Sequence, residues 1–566
     1  MGNFRHSGTF SELVAHFPRF AEAVAKQTSG DLEGARALYL TLLERPRLTA
    51  ACMHQLASLA AARGELEAAV GLYRHALRLE PAHLVTYSKL ANALWRLGQG
   101  AAGLSVLLDQ GCTLQLAERF ADAEIPYREI LQHDPLNYGA HVNLGTCLAQ
   151  MHKLPEAAQH LLLALRLFGR LNRTVLAFAQ SLQQPLADVL APDAPLPEGL
   201  PTGRIEKIED AVTTLGKLMS ELGLPQQAVR CHRLSVALAP GFALGHWNLA
   251  LALLAVGEYA EGWQAYEWRW HWPGFPAARR QGEQPVWTGQ PLAGKKIRVW
   301  AEQGFGDTLQ FAPLVNQLAA QGAQVSFEVM APLHRLMAQS LQRVTVVEAP
   351  QAGMLPPNNA ADFDYAVAHI SLPALLPACM ATLPLAERYL QPAVDAVKRW
   401  DQRMGDDKLP RVGIAWAGRS QPNALRSVPF ALLAPLWERR SVSWYSLQVG
   451  AQQNDLALAG SAAIQNLAAG LTDFAETAAA VANMDLVITI DSAVAHLAGA
   501  LGKRTWLMLL PAPDWRWADT HTQDGQEFSN WYPSVQLFRQ ADATGWEPVV
   551  AQLGLALDQA TQAKGL

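Results

Sequence analysis

A recurrence of about 34 residues through the first half of the chain restricts its possible folds more than any other feature. The stretch AARGELEAAVGLYRHALRLEP carries Gly64, Ala69, Tyr73, Ala76 and Pro81. Gly111, Ala123, Tyr127 and Pro135 follow at matching offsets, as do Gly145, Ala157 and Ala164, and then Gly216, Gly223, Ala228 and Pro240. Between the markers Ala and Leu recur at helical spacing, so each period reads as short amphipathic helices. A unit of that size cannot bury its apolar face alone and must stack on its neighbours. The period over 84–117 is degenerate in the same markers.

These markers resemble the tetratricopeptide repeat. In that repeat small residues sit where two antiparallel helices cross closely, an aromatic ring fills the gap and Pro ends the second helix. The array is expected over 1–275, with an interruption near 191–203, where four prolines within 191–201 cannot continue a helix. Its last unit, HWNLALALLAVGEYAEGWQAYEWRWHW, ends in Trp263, Trp268, Trp270 and Trp272. Their helical spacing favours a hydrophobic seam to the next domain over a sugar-stacking platform.

After Pro285 short apolar strands alternate with helices, which signals parallel α/β sheets. One sheet is expected from strands at 296–301, 324–329, 344–347 and 363–367, and a second from strands at 411–416, 444–447, 486–490 and 505–509. The charged stretch KRWDQRMGDDKLP reads as the crossing between them, so the α/β domains span 285–395 and 408–566 and the fold class is α plus α/β. Open parallel sheets bind ligands beyond their strand C-termini, and two facing sheets imply a cleft.

The sharpest local signal is MDLVITIDSAVAHLAGALGKRTW, 484–506. Its apolar strand ends in Asp491, Ser492 and Ala493 and turns into a helix from about Val494, whose free amides and dipole favour an anion. Asp491 or Ser492 serves equally as an ordinary N-cap, and His496 as a surface residue of the first turn. In the first sheet, EQGFGDTL places Gln303, Gly304 and Gly306 in a turn and Asp307 at a helix start, as N-cap or general base. In the second, the opening strand runs into Gly418 and Arg419, followed by Arg426 and Ser427. Arginine pairs two phosphate oxygens at once, although a lone arginine is usually a solvated charge. Gln448 ends another strand, where it would read a base or a ribose.

Together these pieces resemble tetratricopeptide repeats fused to a two-Rossmann, GT-B-type domain similar to the heptosyltransferases and their glycosyltransferase family 9 relatives. The resemblance covers most of the chain. It rests on Gly306-Asp307, on Arg426 three positions before Pro429 where the family commonly has Lys, and on Asp491-Ser492-Ala493 with His496. It departs at Gln303, near a place where the family usually has Arg. The resemblance implies inverting transfer from a nucleotide-diphosphate sugar, with Asp307 as base. Gly418, Arg419, Arg426, Ser427, Gln448, Asp491, Ser492, Ala493 and His496 would be on the donor side, and Gln303, Gly304 and Gly306 on the acceptor side. Arg426, Ser492, His496 and the helix start would compensate the leaving diphosphate, the role a metal plays elsewhere. No Asp-x-Asp pair stands at a suitable strand end, so neither a metal nor a cofactor is expected.

The repeats would hold a protein acceptor, for example a surface or flagellar subunit. The alternative is a protein-binding scaffold whose sheet domains are non-catalytic or sense a nucleotide-sugar; a lipid acceptor would leave the repeats without a use. The formal charge of the 566 residues is -5, which gives no general field for nucleic acid or anionic lipid. The chain has no signal-peptide pattern and no uncharged apolar run of spanning length, so a cytoplasmic protein is expected. Five cysteines without a CxxC pair suggest buried thiols rather than a zinc cage or disulfides.

Overall fold

The computed structural model describes residues 10–187, 198–203, 207–275, 285–349, 362–376, 387–405, 408–419, 423–459, 464–541 and 545–562. Most of the Pro-rich interruption and Cys379 lie outside them. The chain forms two compact units, Met1–Leu218 and Met219–Leu566. Among the described residues no helix is long and apolar enough to cross a membrane, and Cys52, Cys112, Cys147 and Cys231 are free thiols, all but Cys112 fully buried.

The described residues of the first unit are mainly helical, each helix packing on its sequence neighbours. Thr49–Ala62 pairs with Leu66–Leu79, and Tyr138–Gln150 with Leu154–Gly169. The glycine markers divide into two kinds. Gly64 and Gly98 end helices at φ +82° and +75°, in turns where Glu118 and His152 take the same left-handed conformation at φ 58° and 57°. Gly111 and Gly145 instead lie inside helices where the next helix crosses. A Cβ on Gly111 would stand 2.5 Å from Cε1 of Tyr127, and one on Gly145 2.8 Å from Cγ of Leu161. Gly64 and Gly111 are therefore not equivalent positions, as their alignment by type had assumed.

The degenerate period over 84–117 also has a structural cause. Pro81 and Pro135 are 54 positions apart, which is not a multiple of the repeat length. The helix Gly100–Leu116 closes one pair with Leu84–Arg96 and opens the next with Phe120–His133. One helix thus serves two repeats, and the markers change phase. A cavity of about 720 Å³ opens here, lined by Arg74, Arg78, Tyr87, Asp109 and Thr113 among others.

The second unit begins with helices Pro225–Leu238, Ala243–Ala255 and Tyr259–Tyr266, so the last repeat helices fold with the sheets although they continue the repeat pattern. Trp263 is buried edge-on against Phe311 and Trp515, with ring centroids 5.4 Å from each, and Trp270 packs on the cluster of Trp300, Ala366 and Ala368. These two form the expected seam. Trp268 stacks instead on His246 at 3.7 Å and Trp272 lies beside Trp247, both within the repeat.

The first sheet has β1 (Lys296–Trp300), β2 (Gln324–Val329), β3 (Val344–Glu348) and β4 (Tyr365–Ala368), all parallel, in the order β3-β2-β1-β4. The second contains β5 (Arg411–Ala415), β6 (Ser443–Ser446), β7 (Ile464–Asn466), β8 (Leu486–Ile490), β9 (Thr505–Leu509), β10 (Thr520–Gln523), β11 (Gln526–Ser529) and β12 (Val535–Arg539). Its order is β10-β11-β12-β9-β8-β5-β6-β7, with β10 and β11 antiparallel to their neighbours. β8 lies near the middle and is buried on both faces, as its apolar residues Leu486, Val487, Ile488 and Ile490 require. The stretch expected as a crossing opens with the C-terminal half of the helix Val394–Met404, held to the second sheet's helix Phe474–Ala482 by a Trp400 Nε1–H donated to Glu476 at 2.9 Å.

One hydrophobic core runs from Leu254, Trp263 and Tyr266 through Val299 and Phe311 to Leu497, Trp515 and Trp531. The last repeat, the first sheet and one face of the second sheet are thus packed together. The other face of the second sheet is covered separately by Leu553, Leu557 and their neighbours.

The two kinds of glycine make opposite predictions. Gly71 is an exposed helix-interior residue with nothing within 4 Å of an added Cβ, so Gly71→Ala should stabilise by about 1 kcal/mol through helix propensity. At Gly111 the same change meets a Tyr127 ring that is 0% exposed, and overpacking of about 1–3 kcal/mol should reverse the sign. Denaturation followed by circular dichroism measures both.

Candidate functional site

The two turns singled out in the sequence meet at the starts of two helices that pack on each other, Phe305–Ala320 after β1 and Ala493–Ala500 after β8. The approach is close at Gly306, where a Cβ would lie 2.8 Å from Cδ2 of His496. Asp307 sits in the first helical turn. The Gly304 amide donates to its Oδ2 at 2.9 Å, and its Oδ1 pairs with the Arg516 guanidinium. Its two expected roles are thus divided between its two oxygens, one at the helix start and one in an ion pair. Burial alone would push the Asp307 carboxyl up, but Arg516 and the Gly304 amide outweigh burial and hold it below the ordinary aspartate value.

The loop before Asp307 is braced by the last repeat. Gln303 takes φ +63°, a conformation L residues avoid, and its Nε2 donates to the Tyr266 hydroxyl at 2.8 Å. Glu302 is buried against Arg269, 2.8 Å from its Nη2, and its amide donates to Nδ1 of His369 at 3.1 Å. Burial pushes the Glu302 carboxyl up to about 7 against the pull of Arg269.

On the second sheet Ser492 is the N-cap residue of its helix, but its hydroxyl makes no capping bond, and Ala493 is the first helical residue. Asp491 does not cap. Its Oδ1 accepts from Trp517 Nε1 at 2.8 Å and its Oδ2 lies 3.9 Å from Arg426 Nη1. Burial, with Asp514 nearby, pushes the Asp491 carboxyl above its ordinary value. Arg426 donates from Nη2 to the Arg419 carbonyl at 3.3 Å, while its Nε is buried without a partner. Gly418 lies beside that guanidinium, where a Cβ would make only ordinary contact at 3.4 Å from Nε, and its amide donates to Ser427 Oγ at 3.2 Å. Arg419 is exposed and lies over the Phe305 ring, 5.9 Å from its centroid.

Two expectations are corrected. Gln448 accepts from the Trp416 and Ala417 amides at 3.0 Å each and donates to the Ala417 and Val449 carbonyls at 3.1 Å each. It clamps two strand ends and has no group left to read a base or a ribose. His496 is buried, shares a 3.0 Å hydrogen bond with the Tyr532 hydroxyl, and is pushed down to about 3, by burial first and then by Arg516. It is not the surface residue expected of the first turn, and its burial disfavours the charge that the resemblance assigned to it.

The sequence reading missed the segment Asp514-Trp515-Arg516-Trp517 just beyond β9. Arg516 lies between Asp307 and Asp514, 2.8 Å from an Asp514 oxygen, and covers the Trp515 ring at 4.2 Å. Trp517 holds Asp491. The available signal was an arginine between tryptophans at the C-terminal end of a parallel strand, where such sheets bind ligands.

Residues 448–507 match the model of glycosyltransferase family 9 (heptosyltransferase). Protein FlbA of Caulobacter vibrioides is 28% identical over 585 residues, covering 96% of this chain and 89% of that protein. Among solved structures, E. coli ADP-heptose lps heptosyltransferase II is 14% identical with TM-score 0.34, over 47% of this chain and all of that one. A Thermobaculum terrenum O-GlcNAc transferase mutant is 13% identical with TM-score 0.25, over 73% of this chain and 84% of its own. The chain thus joins a helical repeat array to α/β sheets of which residues 448–507 match glycosyltransferase family 9, and that match supports a glycosyltransferase.

The neutral burial of His496 sets a pH dependence. Its folded value, about 3, lies below the ordinary value of 6.5, so between these the unfolded chain binds a proton that the native chain does not. Stability from this residue is full above pH 6.5 and falls as the pH drops. From pH 7.5 to 5.5, His496→Gln should lose about 1 kcal/mol less stability than the wild type. Urea denaturation read by tryptophan fluorescence tests this, because of 17 tryptophans only Trp95 lies outside the second unit.

Proposed function

We propose that the chain is an inverting, metal-independent glycosyltransferase of GT-B architecture. It would transfer a sugar from a nucleoside-diphosphate donor to a protein acceptor held by the repeats, such as a surface or flagellar subunit. Residues 285–395 form the acceptor side and 408–566 the donor side. The observation that carries this reading is a complementary pair of groups at the C-terminal ends of two parallel sheets: an ionised Asp307 on one, and on the other the underpartnered Arg426 beside an uncapped helix start.

The acceptor hydroxyl oxygen attacks the anomeric carbon on the face opposite the diphosphate. The bond from that carbon to the diphosphate oxygen breaks, the electron pair leaves with the diphosphate, and the hydroxyl proton passes to Asp307. Arg426 and the amides at the start of Ala493–Ala500 stabilise the departing charge. The 720 Å³ cavity beside Arg74 and Arg78 is a candidate site for an acceptor segment.

The test is sugar transfer to proteins of a cell extract from a panel of nucleoside-diphosphate sugars, read by mass spectrometry. Asp307→Asn should lower transfer by about 10²–10⁴-fold while nucleoside diphosphate binding persists, and EDTA should leave the rate unchanged. Equal glycan occupancy with the variant would remove Asp307 as base; a strict divalent-metal requirement would overturn the metal-free reading.

A further inference from the structure

As it stands, the proposed base is engaged in an ion pair. Asp307 and Arg516 are each only 13% exposed, and the guanidinium also contacts Asp514 and the face of Trp515. Removing such an arginine into water would leave a carboxylate partly buried and unpaired, so solvent alone is a poor substitute partner. An anion of higher charge is a better one. Arg516 is well situated for it: the next residue, Trp517, donates to Asp491 at 2.8 Å, and Asp491 faces Arg426 and adjoins Ser492 at the start of the second helix. The segment bearing Arg516 is therefore fastened directly to the turn that would receive the diphosphate.

We propose that Arg516 is a second phosphate-binding cation of this site, and that the donor diphosphate draws its guanidinium away from Asp307. This rests on the donor-site reading above. A guanidinium forks across two phosphate oxygens as well as across a carboxylate, so one set of donors serves both partners in turn. With the donor absent, Asp307 is paired; with it bound, the carboxylate is released to take the acceptor proton. The base would then be available only when a sugar is present to transfer.

The test is binding of UDP, GDP, ADP and CDP to the full chain, each compared with its nucleoside, by titration calorimetry. For a diphosphate that binds the wild type, Arg516→Gln should weaken binding about 10- to 100-fold and leave nucleoside binding unchanged. Arg516→Lys should restore part of the loss. Asp307→Asn removes the competitor and should tighten diphosphate binding severalfold when Arg516 is present, with no gain in the Arg516→Gln background. A merely structural Arg516 would not give that reciprocal gain. Equal diphosphate affinity in wild type and Arg516→Gln would overturn the proposal and leave the donor reading standing. A loss in Arg516→Gln without tightening in Asp307→Asn would overturn the exchange. No binding of any diphosphate to the wild type would overturn the donor reading and the proposal together.

Discussion

A side chain at position 306 would bring its Cβ to 2.8 Å from the His496 ring, so the helices that begin the site can meet only because that residue is glycine. The consequences extend through the second unit. Their contact puts Asp307, after the first sheet's opening strand, within reach of Arg516, beyond β9 of the second sheet. It also buries His496, which disfavours a second positive charge beside Arg516. Two sheets with separate strand orders become one site through a missing methyl group and an uncharged imidazole.

The last repeat belongs to that site as much as to the array. Tyr266 holds Gln303 in its unfavourable backbone conformation, and Arg269 neutralises Glu302 one residue earlier. An isolated buried carboxylate or a non-glycine residue at positive φ persists only where its surroundings over-determine it. Here the surroundings are supplied by the end of the helical array. The shared core of Trp263, Phe311 and Trp515 joins this brace to the sheets, so the last repeat helices belong to the same compact unit as the sheets.

Much of this was legible in the sequence, for identifiable reasons. The eight expected strands were found close to their expected places because each is a short β-branched or aromatic run flanked by turn residues. β7 and β10–β12 were missed: β10 is a largely exposed polar strand and β7 only three residues long, so neither carries an apolar signature. The helix starts at Asp307 and Ser492 were visible as glycine or serine after an apolar strand. What those side chains touch was not. Gln448 looked like a ligand reader because it ends a strand, yet its amide is fully used by two neighbouring backbones. Arg516 was passed over because its partner lies 209 residues earlier, a pairing that no local pattern encodes.

The site's two arginines differ in a way that bears on how charge is managed there. Arg426 is underpartnered, with a buried Nε lacking an acceptor and its nearest carboxylate at 3.9 Å. Arg516 lies between two carboxylates and on an indole face. Burying a guanidinium without partners is unfavourable, and burying it with a full set leaves little to gain from a ligand. On the proposed reading, one arginine of each kind would give an incoming anion a waiting partner and a second to be won by exchange. Because Asp307 is one of the carboxylates that hold Arg516, the proposed donor-binding charge and the proposed proton acceptor would be parts of a single ion-pair network.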